Sequence, residues 1–97
     1  MTEEGRGMAI AAELERRLQA AFAPVALDIR DDSERHRGHP GHREGGGTHF
    51  VVRIVSEAFR GLSRIERERR VMATVADLLE KPVHALQVIA RTPEEVR

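Results

Sequence analysis

Residues 31 to 48, DDSERHRGHPGHREGGGT, carry no apolar side chain that could join a core. The whole chain has only 97 residues. A domain of this size buries roughly 60–65% of the surface its unfolded chain exposes. Its interior must therefore come entirely from the segments on either side of that polar stretch. Gly38, Pro40, Gly41 and the run Gly45 to Gly47 oppose regular structure within it. The expectation is one long connection between two apolar segments, and loops of this length in compact domains are functional or disordered.

The flanking segments give their elements by periodicity. Before the gap, Ile10, Leu14, Leu18 and Phe22 recur at steps of four, which predicts a helix over 8–22 that Pro24 ends. Val25, Leu27 and Ile29 alternate with Ala26, Asp28 and Arg30, a half-buried strand. After the gap, Phe50, Val52 and Ile54 alternate, while Val51 and Val55 are apolar on the other face, so this strand is expected to be the more central. Ser63 and Glu66 match a capping box. An apolar stripe of Ile65, Met72, Val75, Ala76 and Leu79, flanked by Val71 and Leu78, predicts the helix that follows, with Pro82 as its stop. Residues 83–90 alternate as a third strand, and Thr92-Pro93-Glu94-Glu95 opens a last short helix. Residues 1–7 read as a disordered tail, and 8–97 as a single domain. The order is α-β-β-α-β-α. Strands one and two are expected to pair antiparallel, and strands two and three parallel through a right-handed crossover. Helices would then cover one face of a three-stranded mixed sheet in an α+β domain.

Composition narrows the chemistry. With no cysteine, the chain alone can build neither a disulfide nor a thiolate site for zinc or an iron–sulfur cluster. No apolar run approaches the ~18 residues of a membrane helix. The opening MTEEGRG resembles neither a signal nor a transit peptide, so the cytoplasm is the expected compartment. Cations and anions balance at 16 each, which gives no global field toward nucleic acid. Trp and Tyr are absent, so a base-stacking platform is hardly available. No nucleophile–base set or carboxylate pair is evident, and the chain is not expected to be an enzyme.

The candidates for function are histidines and arginines. His36, His39 and His42 lie three apart, but a non-helical segment gives that spacing no fixed geometry. His49 opens the second strand and has a structural reading at the sheet end. His84, beside Pro82 at the start of the third strand, is either a metal ligand held on rigid backbone or a histidine hydrogen-bonded at a strand edge. Arg60, Arg64, Arg67, Arg69 and Arg70 could enter a DNA groove, or could form a solvated helix face with pairs such as Glu66–Arg70. Gly38-His39-Pro40-Gly41 matches the GxxG phosphate clamp in letters, but it lies between two strands and not at the required helix junction.

Several motifs together resemble a known family. Phe59-x-Gly61, Arg67-x-Arg69-x-Val71 and Val83-His84-Ala85-Leu86, in that order and after THFVVRIVS, are similar to the BolA family over about residues 8 to 96. Ser33-x-x-His36 and Thr48-His49-Phe50 match the branch whose first loop carries His. One departure is Glu68, where the family has His. The resemblance implies a class II KH-like fold of order α-β-β-α-α-β-α. It also implies an adaptor that forms a heterocomplex with a monothiol glutaredoxin. The two would share a [2Fe–2S] cluster held in part by glutathione, in iron–sulfur assembly, trafficking or iron regulation. His84 would be one iron ligand and His36 the second, ahead of His39, His42 and His49. Imidazole ligation suits a cluster short of thiolates. Alone, the chain would carry no cofactor and would be a monomer or weak homodimer, away from membranes. The alternative is a stress-responsive transcription regulator that binds DNA through Arg64, Arg67, Arg69 and Arg70.

Overall fold

The computed structural model describes residues 3–32, 49–80, 83 and 85–96. The first helix, α1, spans Glu3–Phe22 and is followed by strand β1 at Ala26–Asp31 and strand β2 at His49–Val55. A 3-10 turn at Glu57–Phe59 leads to helix α2, Arg64–Thr74, and helix α3, Ala76–Glu80. Strand β3, Ala85–Arg91, and a 3-10 turn at Pro93–Val96 complete the order. β2 is the central strand. It pairs antiparallel with β1, with Leu27 opposite Ile54 and Ile29 opposite Val52. It pairs parallel with β3, with Phe50 opposite Leu86 and Val52 opposite Val88. This is the expected three-stranded mixed sheet.

The register puts Leu27, Ile29, Phe50, Val52, Ile54, Leu86, Val88 and Ala90 on one face. Ile10, Leu14 and Leu18 of α1, Val71 of α2 and Val75 just after it pack there, joined by Phe59 and Val83. Burying each large side chain contributes ~1.5–3 kcal/mol. The rings of Phe22 and Phe59 lie 5.1 Å apart, joining the end of α1 to the turn after β2. Arg17 of α1 bonds Glu13 at 2.7 Å and Asp77 of α3, which ties the two helices along one side.

Local structure differs from the reading of periodicity at four places, the last of which is the two-helix order that the resemblance implies. α1 begins at Glu3, so residues 3–7 of the expected tail have helical backbone, and Gly7 is buried. Once a helix is nucleated by a packed stripe, each further residue adds a hydrogen bond at little cost. Val25 precedes β1 and is 68% exposed, so only Leu27 and Ile29 turn inward from that strand. Ile65 is 57% exposed, and the stripe that reaches the core is Val71 and Val75. The helical segment breaks at Val75, where ψ is 21° and the amide bonds Met72 at 3.2 Å. Thr74 and Val75 are β-branched, and the Thr74 hydroxyl donates back to the Arg70 carbonyl at 2.9 Å, a bond that bends helices.

Candidate functional site

Two strands begin at one end of the sheet. β2 starts at His49 and β3 at Ala85, and the parallel register sets these two residues side by side. β1 ends there as well: the Asp32 amide donates to the His49 carbonyl at 2.7 Å. Residues 32 and 49 bound the polar segment, so both of its anchors sit at this end of the sheet, His49 beside the start of β3 and Asp32 on the far side of β2. Val83 is held on the other side of that position. It is 1% exposed, and its amide donates to the Leu78 carbonyl at 2.9 Å.

Of the candidate ligands, His49 is described. It is half-buried, pairs in register with Ala85, and falls by alternation on the sheet face away from the helices. His36, His39, His42 and His84 lie outside the described residues. Among the described residues no three His, Asp or Glu side chains are grouped to hold a metal ion.

The arginines of the α2 region separate into different roles. Ser63 caps α2: its hydroxyl accepts from the Glu66 amide at 3.2 Å, and Glu66 accepts from the Ser63 amide at 3.4 Å. Glu66 is thus committed to the cap, and no Glu66–Arg70 pair forms. Arg67 is largely enclosed, with its side chain 13% exposed. It donates to the Leu62 carbonyl at 3.0 Å, the Ala90 carbonyl at 3.2 Å and the Glu95 carboxylate at 2.6 Å. The guanidinium, helped by the Thr92 amide, holds the Glu95 carboxyl down at about 2. Arg60 pairs with Glu57 and Glu94, and Arg64, 90% exposed, meets Glu68 at 3.3 Å. Arg69 and Arg70 are exposed and have no ion pair among the described residues. Only Arg64, Arg69 and Arg70 therefore present charge outward from the helix.

Two residues of the motif Phe59-x-Gly61 have structural causes. Phe59 is 0% exposed. Gly61 has φ +82°, and a Cβ built there would meet nothing within 4 Å, so the turn needs glycine for its backbone and not for space. Sequence reasoning missed Ser56, which is 1% exposed. Its hydroxyl donates to the Phe22 carbonyl at 2.6 Å and accepts from the Ala58 amide at 3.0 Å, while its amide bonds the Arg91 carbonyl at 2.9 Å. The only sequence signal was a small polar residue ending an apolar strand, which also describes most loop starts.

Among the described residues no helix is long and apolar enough to cross a membrane. A family model described as BolA-like protein matches residues 18–95. BolA-like protein 1 of Homo sapiens is 41% identical over 88 residues, covering 91% of this chain and 61% of the relative. SufE-like protein 1, chloroplastic/mitochondrial, of Arabidopsis thaliana is 42% identical over 95 residues, 94% of this chain but 24% of that protein. This chain therefore spans about three-fifths of the first and a quarter of the second. The DNA-binding transcriptional regulator BolA of Escherichia coli is 38% identical over 91% of this chain and 80% of its own length. The solved BolA domain of SufE1 from Arabidopsis thaliana superposes with a TM-score of 0.79 at 38% identity, over 88% of this chain and 93% of that one. This chain belongs to the BolA-like family.

Proposed function

We propose that the protein is a non-enzymatic adaptor that shares a [2Fe–2S] cluster with a monothiol glutaredoxin, in the assembly, trafficking or sensing of iron–sulfur clusters. One observation carries most of the reading: the anchors of the histidine-bearing segment and the strand that follows His84 meet at a single sheet end. Ligands from both stretches would then belong to one end of the sheet. The donor chemistry agrees. A chain without cysteine offers imidazoles alone, which suit part of a cluster whose thiolates come from the partner's cysteine and from glutathione. His84 would be one ligand and His36 the other, with His39, His42 and His49 behind it. Alone, the chain would carry no cluster and would be a monomer or weak homodimer. A cytoplasmic location accompanies this reading.

The test is to mix the protein with a glutathione-loaded glutaredoxin holding [2Fe–2S], and to record visible absorbance and circular dichroism. A new spectrum that is lost in His84→Ala supports the reading. No change on mixing defeats it. An unaltered spectrum in His84→Ala removes that residue as ligand, and the same comparison with His36→Ala decides the second.

A second reading is a DNA-binding regulator, favoured by the name of the Escherichia coli relative and by the exposed Arg64, Arg69 and Arg70. Arg67 would contribute through α2's position and not by contact, because its donors are occupied. That reading requires DNA affinity whose salt slope falls in Arg69→Ala and Arg70→Ala.

A further inference from the structure

β3 is an edge strand of seven residues, bounded on its outer side by a groove of about 390 Å³. The groove runs between Gln87–Arg91 and the Arg64, Arg67 and Glu68 side of α2. The Arg91 carbonyl accepts from Ser56, on the β2 side. Alternation therefore turns the backbone amides and carbonyls of Leu86, Val88 and Ala90 outward. Of these groups only the Ala90 carbonyl is met by a described residue, the Arg67 guanidinium at 3.2 Å. Exposed edges of this kind recruit further strands unless they are blocked, and no proline, lysine or bulge interrupts this one.

The geometry points to the free edge of β3 as a docking site for an extended acidic peptide segment, which joins the sheet as a fourth strand. Main-chain bonds to Leu86 and Val88 supply affinity, and alternate side chains supply selectivity. Charge decides the sign. The groove is lined by Arg64, Arg67 and Arg91 against Glu68 and Glu95, which leaves one positive charge in excess. Arg91 has no ion pair among the described residues, and Arg64 is 90% exposed. A strand with acids at alternate positions meets Arg64 on one face or Arg91 on the other. Nucleic acid fits less well, because no aromatic side chain lines the groove for stacking. The opposite edge, β1, differs: its groove is lined by Met8, Ala11, Ala12, Glu15, Leu27, Asp28 and Ile29, with acids and no cation. This inference is independent of the cluster-sharing proposal, since it involves no histidine.

The probe is the capped heptapeptide acetyl-Glu-Val-Glu-Val-Glu-Val-Glu-amide, titrated into isotopically labelled protein while amide resonances are followed. Its controls are the same peptide N-methylated on alternate residues in both alternations, the lysine counterpart, and a short oligothymidylate. The expected result is saturable shifts confined to Leu86–Arg91 and the first turns of α2. Those shifts should be lost in at least one N-methylated form and with the lysine peptide, and weakened about fivefold in Arg64→Glu. Arg64 is exposed, so that variant keeps its fold. The proposal is overturned by an absence of shifts through the millimolar range, by shifts centred elsewhere, by equal binding of the lysine peptide or both N-methylated forms, or by preference for the oligonucleotide.

Discussion

Arg67 donates to Glu95 at 2.6 Å, joining the middle of α2 to the 3-10 turn after β3 across 28 positions of chain. The same guanidinium bonds the carbonyls of Leu62 and Ala90, so one side chain closes three segments. Replacing it with methionine leaves two part-buried carbonyls without a donor, at about 1 kcal/mol each. Arg67→Met should therefore lower the urea midpoint clearly. Arg69→Ala and Arg70→Ala should each stay within about 0.5 kcal/mol of the parent.

The Arg67–Glu95 contact also sets an acid response. Glu95 titrates at about 2 in the fold, against an ordinary glutamate value of 4.5. A depressed carboxylate stabilises the folded state above its unfolded pKa, and that contribution fades as pH falls from about 4.5 to about 2. Glu95→Gln should thus be less stable than the parent at neutral pH, with the gap closing toward pH 2. Urea titrations at pH 7 and pH 2.5 measure the two limits. A gap that widened on acidification would contradict the assignment.

Ser56→Ala should be the most damaging small change near the sheet. It removes the donor to the Phe22 carbonyl and the acceptor of the Ala58 amide in a site 1% exposed. A cost of roughly 1–3 kcal/mol is expected, read as a lower thermal midpoint without loss of secondary structure by far-ultraviolet circular dichroism.

Backbone handedness predicts opposite signs at two positions. Gly61 sits at φ +82° and Ala23, just past α1, at φ +42°. A Cβ in the left-handed region costs roughly 1–2 kcal/mol. Gly61→Ala should destabilise by about that amount, even though the added carbon has open space. Ala23→Gly should stabilise by up to about 1 kcal/mol, net of the extra freedom glycine gives the unfolded chain. Thermal denaturation of both variants checks the pair.

Most of the sheet was legible in the sequence. Alternation in Phe50, Val52 and Ile54 marked the core face, and apolar residues on both sides of that strand marked it as central. The capping box at Ser63 was legible because both partners lie within four residues. What periodicity could not supply was tertiary choice. Ile65 and Val71 are equally apolar, but only Val71 faces the sheet, and nothing local decides that. Val25 fits the strand pattern yet lies at the bend after Pro24, outside β1. Arg67 was recognisable as a motif residue, while its partners Ala90 and Glu95 are far along the chain. The histidines could be named from residue type and spacing, but that the strand after position 84 starts beside His49 depends on strand register, which ties Ala85 to His49.

The Asp32–His49 bond has an evolutionary corollary. It clamps the two ends of the histidine-bearing stretch in neighbouring strands, so sheet registry does not depend on how many residues lie between them. For a flexible connection, doubling the length costs only about 0.6 kcal/mol in closure entropy. Insertions, deletions and substitutions in such a connection are therefore expected to be nearly neutral for folding. The sequence between those two residues can diverge while the architecture stays constant.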